Sequence, residues 1–95
     1  MYVTMRKYRP KRSYAHVHDA VQKGLVPVLK ALPGFQGYWL LKCNDGDFAG
    51  YTAFDTQANA IAGNKATLAW VEAHFRDELV LPPVVMFAAM MEQLA

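Results

Sequence analysis

A chain of 95 residues with a net charge of +2, 54% hydrophobic residues and one cysteine is sized for a single domain that buries a core without disulfides or metals. Cys43 has no partner for an internal disulfide, and no signal-peptide pattern opens the chain, so a reducing, cytoplasmic setting is expected. The longest apolar run, Leu79 to Met91, is interrupted by Pro82 and Pro83 and is too short to span a bilayer.

Tyr2 to Tyr8 is rich in Tyr, Val and Thr and predicts a first strand, ending at Arg9 and Pro10. Half of the basic residues, Arg6, Lys7, Arg9, Lys11 and Arg12, precede the first acid, Asp19. Such a cluster is expected to be a solvated loop. The competing reading is an anion site, because Ser13 is a good N-cap and the helix after it would aim free backbone N–H groups at this loop. Tyr8 and Tyr14 interleave the bases, but so small a patch is weak support for nucleic acid.

From Ser13 the spacing changes. Tyr14, Val17, Val21, Leu25, Val28 and Leu32 recur every three or four residues, the stripe of an amphipathic helix. Gly24 and Pro27 predict a kink or short break near Gly24 to Val26. Leu32-Pro33-Gly34 ends the helix. Phe35 to Cys43 and Phe48 to Phe54 then predict a hairpin around Asn44-Asp45-Gly46-Asp47. Neither face of its first strand is a clean solvent face, since Phe35, Trp39 and Leu41 alternate with Tyr38 and Leu40.

Asp55-Thr56 reads as an N-cap for an alanine-rich helix from Gln57 to about Glu78, with Ile61, Leu68, Val71 and Phe75 as anchors and a bend at Gly63-Asn64. Val84 to Glu92 predicts a last strand that is apolar on both sides, with a short helix as the alternative. The order β-α-β-β-α-β predicts an α+β sandwich, with both helices on one face of an antiparallel sheet. An apolar face left open on the other side predicts a second copy of the chain as its cover.

Leu-Pro-Gly-Phe-Gln-Gly-Tyr at 32 to 38, Phe54-Asp55-Thr56, Ala66 with Trp70 and Val71, and Leu81-Pro82-Pro83 together resemble the antibiotic biosynthesis monooxygenase-like family of the dimeric α+β barrel superfamily, over nearly the whole chain. The resemblance implies a ferredoxin-like protomer whose sheet packs on its twin's, with a ligand cleft between sheet and helices. Enzymes of the family include cofactor-independent oxygenases of aromatic phenols or quinols and haem-degrading oxygenases. The sequence departs from the haem-degrading branch. Arg6 or Lys7 falls where that branch has an Asn and Gly63 where it has a Trp, and only His74 lies near a counterpart.

Candidate site residues are few. His74 could act as a base or hydrogen-bond a phenol, because an imidazole titrates near neutrality. Trp39, Tyr51 and Trp70 are expected to bind substrate, with Tyr38 and Phe87 as further aromatics; an indole N–H needs a partner when buried and could find it on a ligand. The bland reading of each is core or interface packing. His16 with His18, and Glu72 with His74, sit two apart on predicted helices and so point away from one another, which argues against a metal. Cys43 reads as a small apolar residue, and Asp45-Gly46-Asp47 as a turn lacking the Glu of a calcium loop. Met86, Met90 and Met91 read as soft packing.

The function expected is therefore a small homodimer that binds a compact aromatic or apolar molecule, with cofactor-independent monooxygenation as its chemistry. The alternative is a non-catalytic binding or structural dimer. An RNA-recognition sheet shares the element order, but Asp47 to Phe54 lacks the basic residue and the glycine placement of that signature.

Overall fold

The computed structural model describes residues 1–11, 14–77 and 79–90. The elements follow the predicted order: β1 (Tyr2–Pro10), α1 (Tyr14–Ala20), a π-helical turn (Val21–Leu25), α2 (Val26–Lys30), β2 (Phe35–Lys42), β3 (Phe48–Phe54), α3 (Gln57–Phe75) and β4 (Leu79–Ala89). The strands form one antiparallel sheet, β2-β3-β1-β4, which is the ferredoxin-like arrangement. Arg12, the expected N-cap Ser13, Glu78, Met91 and Glu92 lie outside the described residues.

The helical arm from α1 to α2 runs through the predicted break without leaving the sheet. Its buried residues are Val17, Val21, Leu25 and Leu29, a strict spacing of four. In an α-helix that stripe would drift by ~40° per step. The π turn, in which the Val26 N–H reaches back to the Val21 carbonyl, is wider and absorbs the drift. It also accommodates Pro27, whose missing N–H would break an α-helical interior. The wide turn hands the inward position to Leu29 instead of Val28, which is exposed. Gly34, at φ 75°, then closes the arm in the left-handed conformation that glycine adopts without strain.

Thr56 caps α3 by accepting from the Asn59 N–H at 3.1 Å. The bend expected at Gly63-Asn64 does not form, and α3 is one continuous helix. Gly63 serves as a contact point, because a Cβ there would run into the Phe54 ring. The face that α3 turns inward is small and partly polar: Ala60, Gly63, Asn64, Thr67, Val71 and Phe75. Ile61, an expected anchor, is exposed. The last strand starts at Leu79, not Val84, and includes both prolines. They are tolerated because β4 is an edge strand and its pairing with β1 shifts between Lys7 and Arg9.

Strand alternation divides the sheet. Thr4, Arg6, Tyr8, Phe48, Thr52 and Phe54 are buried beneath the helices. They share that side with the core residues Val17, Val21, Leu25, Leu29, Val71 and Phe75. Val3, Met5, Trp39, Leu41, Tyr51, Val84 and Met86 point to the other face by the same register. On that face Trp39, Leu41, Val84 and Met86 are each about half exposed or more, at 52%, 49%, 66% and 54%.

Candidate functional site

The largest side chain with no solvent exposure is a charged one, Arg6. Sequence reasoning placed Arg6 in a solvated basic segment, and the structure corrects this. Alternation along β1 sends Arg6 under the helices and Lys7 to the opposite face. Lys7 meets Asp45 at 2.7 Å and Asp47 at 3.4 Å, and Arg9 meets Asp47 at 3.2 Å. These pairs pin the β2–β3 turn to β1, and the Lys7 hydrogen bond holds the Asp45 carboxyl below its ordinary range.

The Arg6 guanidinium donates to Asn64 Oδ1 and to Thr52 Oγ1, each at 3.1 Å. Both acceptors are neutral. No carboxylate among the described residues pairs with Arg6: Asp45 and Asp47 hold Lys7 and Arg9, Asp19 holds Lys23, and Glu72 holds Arg76. Arg6 Nε, Thr4 Oγ1 and the Tyr8 hydroxyl are buried without a well-formed hydrogen bond, although the Tyr8 oxygen lies close enough to the guanidinium to interact with it. Thr67 donates to the Gly63 carbonyl at 2.8 Å and so is satisfied within α3. Desolvation lowers the Arg6 pKa, opposed by the nearby phenols of Tyr8 and Tyr38. A guanidinium nevertheless stays charged in proteins.

Burial pushes the Tyr8 phenol up to about 12, with the Arg6 charge opposing the rise. Tyr8 stacks on Phe48 with ring centroids 5.3 Å apart, and its hydroxyl stays protonated at neutral pH. Because the folded value lies above the ordinary one, the stability linked to Tyr8 is whole below pH ~10 and is lost as pH rises from there through 12, roughly 2–3 kcal/mol in all. Alkaline titration of the phenolate absorbance should show one of the five tyrosines ionising last, and Tyr8→Phe should remove that step. The variant should melt no lower than the parent, since it deletes an unpaired buried hydroxyl.

A groove of about 360 Å³ lies between the helical arm and β2, lined by His18, Val21, Gln22, Val26, Tyr38 and Leu40; Arg6 itself is sealed beneath the helices. Tyr38 connects the two. Its hydroxyl lies over Gly50, where a Cβ would approach it to 2.6 Å, and Gly50 is the cross-strand neighbour of Arg6. A second groove of about 260 Å³, between the start of α3 and β1–β4, is lined by Tyr2, Gln57, Ala60, Ile61 and Phe87 among others.

The residues expected from the sequence fall into two pairs. Trp70 and His74 lie together on α3, rings stacked at 4.5 Å, with His74 Nδ1 2.8 Å from the Trp70 carbonyl. Trp70 is half-buried against Gly24 of the π turn and meets Phe75 edge-on. His74 is exposed beside a shallow polar hollow with Glu72, Arg76 and Asp77. Trp39 and Tyr51 are direct cross-strand partners on the open face, and the sheet separates them from Arg6. Cys43 is half-buried and free. Among the described residues no group of three or more His, Cys, Asp or Glu converges as a metal site, and no helix is long and apolar enough to cross a membrane.

Sequence reasoning named Arg6 only within the basic segment, where an anion site is the competing reading, and did not single out Thr4, Thr52 or Asn64 as site residues. A signal existed for two of them. Arg6 alternates with Thr4 and Tyr8, and Asn64 sits on the inward stripe of α3 with Ala60, Thr67 and Val71. A polar residue at a core-facing position is the mark to look for.

No protein-family model matches the sequence, and no curated protein matches it. Solved structures do match the fold. A Nitrosomonas europaea protein described as an antibiotic biosynthesis monooxygenase is 20% identical, with 97% of this chain and 100% of that one covered at a TM-score of 0.74. SnoaB, a cofactor-independent oxygenase from Streptomyces nogalater, is 11% identical over 98% of this chain and 95% of its own at 0.76. The ActVA-Orf6 monooxygenase of Streptomyces coelicolor, solved with nanaomycin D, is 17% identical over 99% and 90% at 0.71. This chain has the ferredoxin-like fold of the antibiotic biosynthesis monooxygenase-like proteins.

Proposed function

We propose that this protein is a small cytoplasmic homodimer, joined through the open sheet face, that binds a compact aromatic or apolar molecule and oxygenates a phenol or quinol without a metal or nucleotide cofactor. The observation that carries the reading is the buried polar cluster under the groove. Three unpaired polar atoms and an unneutralised guanidinium cost stability in a core, and such a cost is characteristic of a ligand site. Fold likeness to oxygenases supports the same chemistry by analogy.

In this reading the ionised ring gives electrons to dioxygen and a carbon–oxygen bond forms. The O–O bond then breaks, leaving one oxygen atom in the ligand as a carbonyl and the other in water. His74 accepts the phenolic proton. Its Nδ1 hydrogen is held by the Trp70 carbonyl, which leaves the lone pair on Nε2. Trp70 and His74 lie outside the lining of the groove beside Tyr38, so in this reading the ligand spans from that groove past the π turn to them, while Trp39 and Tyr51 serve it only across the protomer interface.

A second reading, a non-catalytic binding dimer, is favoured by one observation: His74 stands in solvent and Arg6 is sealed from it. An oxygen electrode separates the two. Across a panel of quinols and phenols over a range of pH, the oxygenase should consume dioxygen with at least one compound, more slowly in His74→Ala. Binding without uptake leaves the second reading, and neither binding nor uptake defeats both.

A further inference from the structure

We infer that the cluster on the helix-covered face of β1 is an anion site, and that the natural ligand is a planar conjugated molecule that binds as an oxyanion with its charge against Arg6. The aromatic half of this inference rests on the function proposed above. The anionic half rests on the cluster alone.

A guanidinium buried for structural reasons ordinarily has a carboxylate beside it and its donors satisfied. Arg6 has neither. Its two hydrogen bonds go to a neutral amide and a neutral hydroxyl, and its Nε has no partner. The other two unpaired buried atoms, Thr4 Oγ1 and the Tyr8 hydroxyl, lie two residues either side of Arg6 on the same face of β1, within ~7 Å along the strand. All three orphans can donate a hydrogen bond. An anionic oxygen beside Arg6 Nε would satisfy that donor and neutralise the buried charge. A neutral carbonyl would accept from the donors but leave the charge. Tyr8 keeps its proton far above neutral pH, so it remains a donor wherever the ligand is ionised. Tyr38, between the groove and the guanidinium, is the side chain such a ligand meets first.

The probes are a hydroxynaphthoquinone that is anionic at neutral pH and its O-methyl ether, which is neutral and nearly the same size. Wild type should bind the anion about tenfold more tightly than the ether or better, by quenching of tryptophan fluorescence. Arg6→Met should bind both at the affinity of the ether. Its melting temperature without ligand serves as its own reference, because the variant loses the buried charge together with the hydrogen bonds to Asn64 and Thr52. A second probe, nitrate, is small and planar and so needs less opening of the sealed cluster than a quinone does. Replacing gluconate with nitrate at fixed ionic strength should raise the melting temperature of wild type and not of Arg6→Met. A nitrate effect that depends on Arg6, without binding of either quinone, keeps the anion site and discards the aromatic reading. The anion site is overturned if the ether binds as tightly as the acid, if Arg6→Met keeps the preference, or if neither the quinones nor nitrate respond to Arg6.

Discussion

Phe54→Ala should lose about 3–5 kcal/mol of folding stability, enough to unfold much of a domain whose whole margin is of order 5–15 kcal/mol. Phe54 is fully buried, meets Phe35 edge-on at 5.7 Å, and is the ring on which Gly63 lets α3 rest. Truncation therefore removes the filler between β3 and α3. The gap cannot close by a helix shift, because Arg6 bridges β1 to Asn64 on α3 and to Thr52 on β3. Urea denaturation followed by circular dichroism reads the change as a fall in midpoint. A loss under about 1 kcal/mol would mean that α3 is not seated on β3 as described. Phe54→Leu keeps most of the volume and should cost less than half as much.

Trp39→Ala should weaken the proposed dimer by about 2–4 kcal/mol, some thirtyfold or more in Kd. The indole lies on the open face, folded over Gly37 and opposite Tyr51, with Leu41, Val84 and Met86 sharing that face. An apolar surface that is the same on both copies suits a two-fold contact, and tryptophan at its centre is the side chain expected to dominate the energy. Sedimentation velocity over a concentration series checks this. Wild type should run as a dimer at micromolar concentrations, and Trp39→Ala should dissociate within the same range. A wild type that stays monomeric throughout would defeat the proposed interface, and the ligand reading would then have to stand on the Arg6 cluster alone.

The two experiments address opposite faces of one sheet. The face under the helices holds both the core and the polar cluster, whereas the described residues of the open face are mostly apolar, with Tyr51 among them and the Lys7 and Arg9 pairs at the turn. This separation explains why a list of aromatics could not locate the site. Trp39 and Tyr51 have the composition of a pocket, yet the register puts them across the sheet from Arg6.

The sequence by itself determined the element order, the hairpin turn at Asp45-Gly46, the helix stop at Gly34 and the apolar character of both sheet faces, because each follows from local backbone preference or from side-chain period. The bend in the first helix was also legible at Gly24 and Pro27, although its form was not. A π turn pays off only when Val17, Val21, Leu25 and Leu29 all have a sheet to reach. Only the tertiary structure decided that Gly63 is a contact and not a hinge, that Pro82 and Pro83 can lie within an edge strand, and that Arg6 is interior while Lys7 and Arg9 are held by the turn carboxylates. These are consequences of which strands become neighbours and which chain segments cover them. Arg6, Lys7 and Arg9 look alike in the sequence until β3 and α3 close over Arg6 alone.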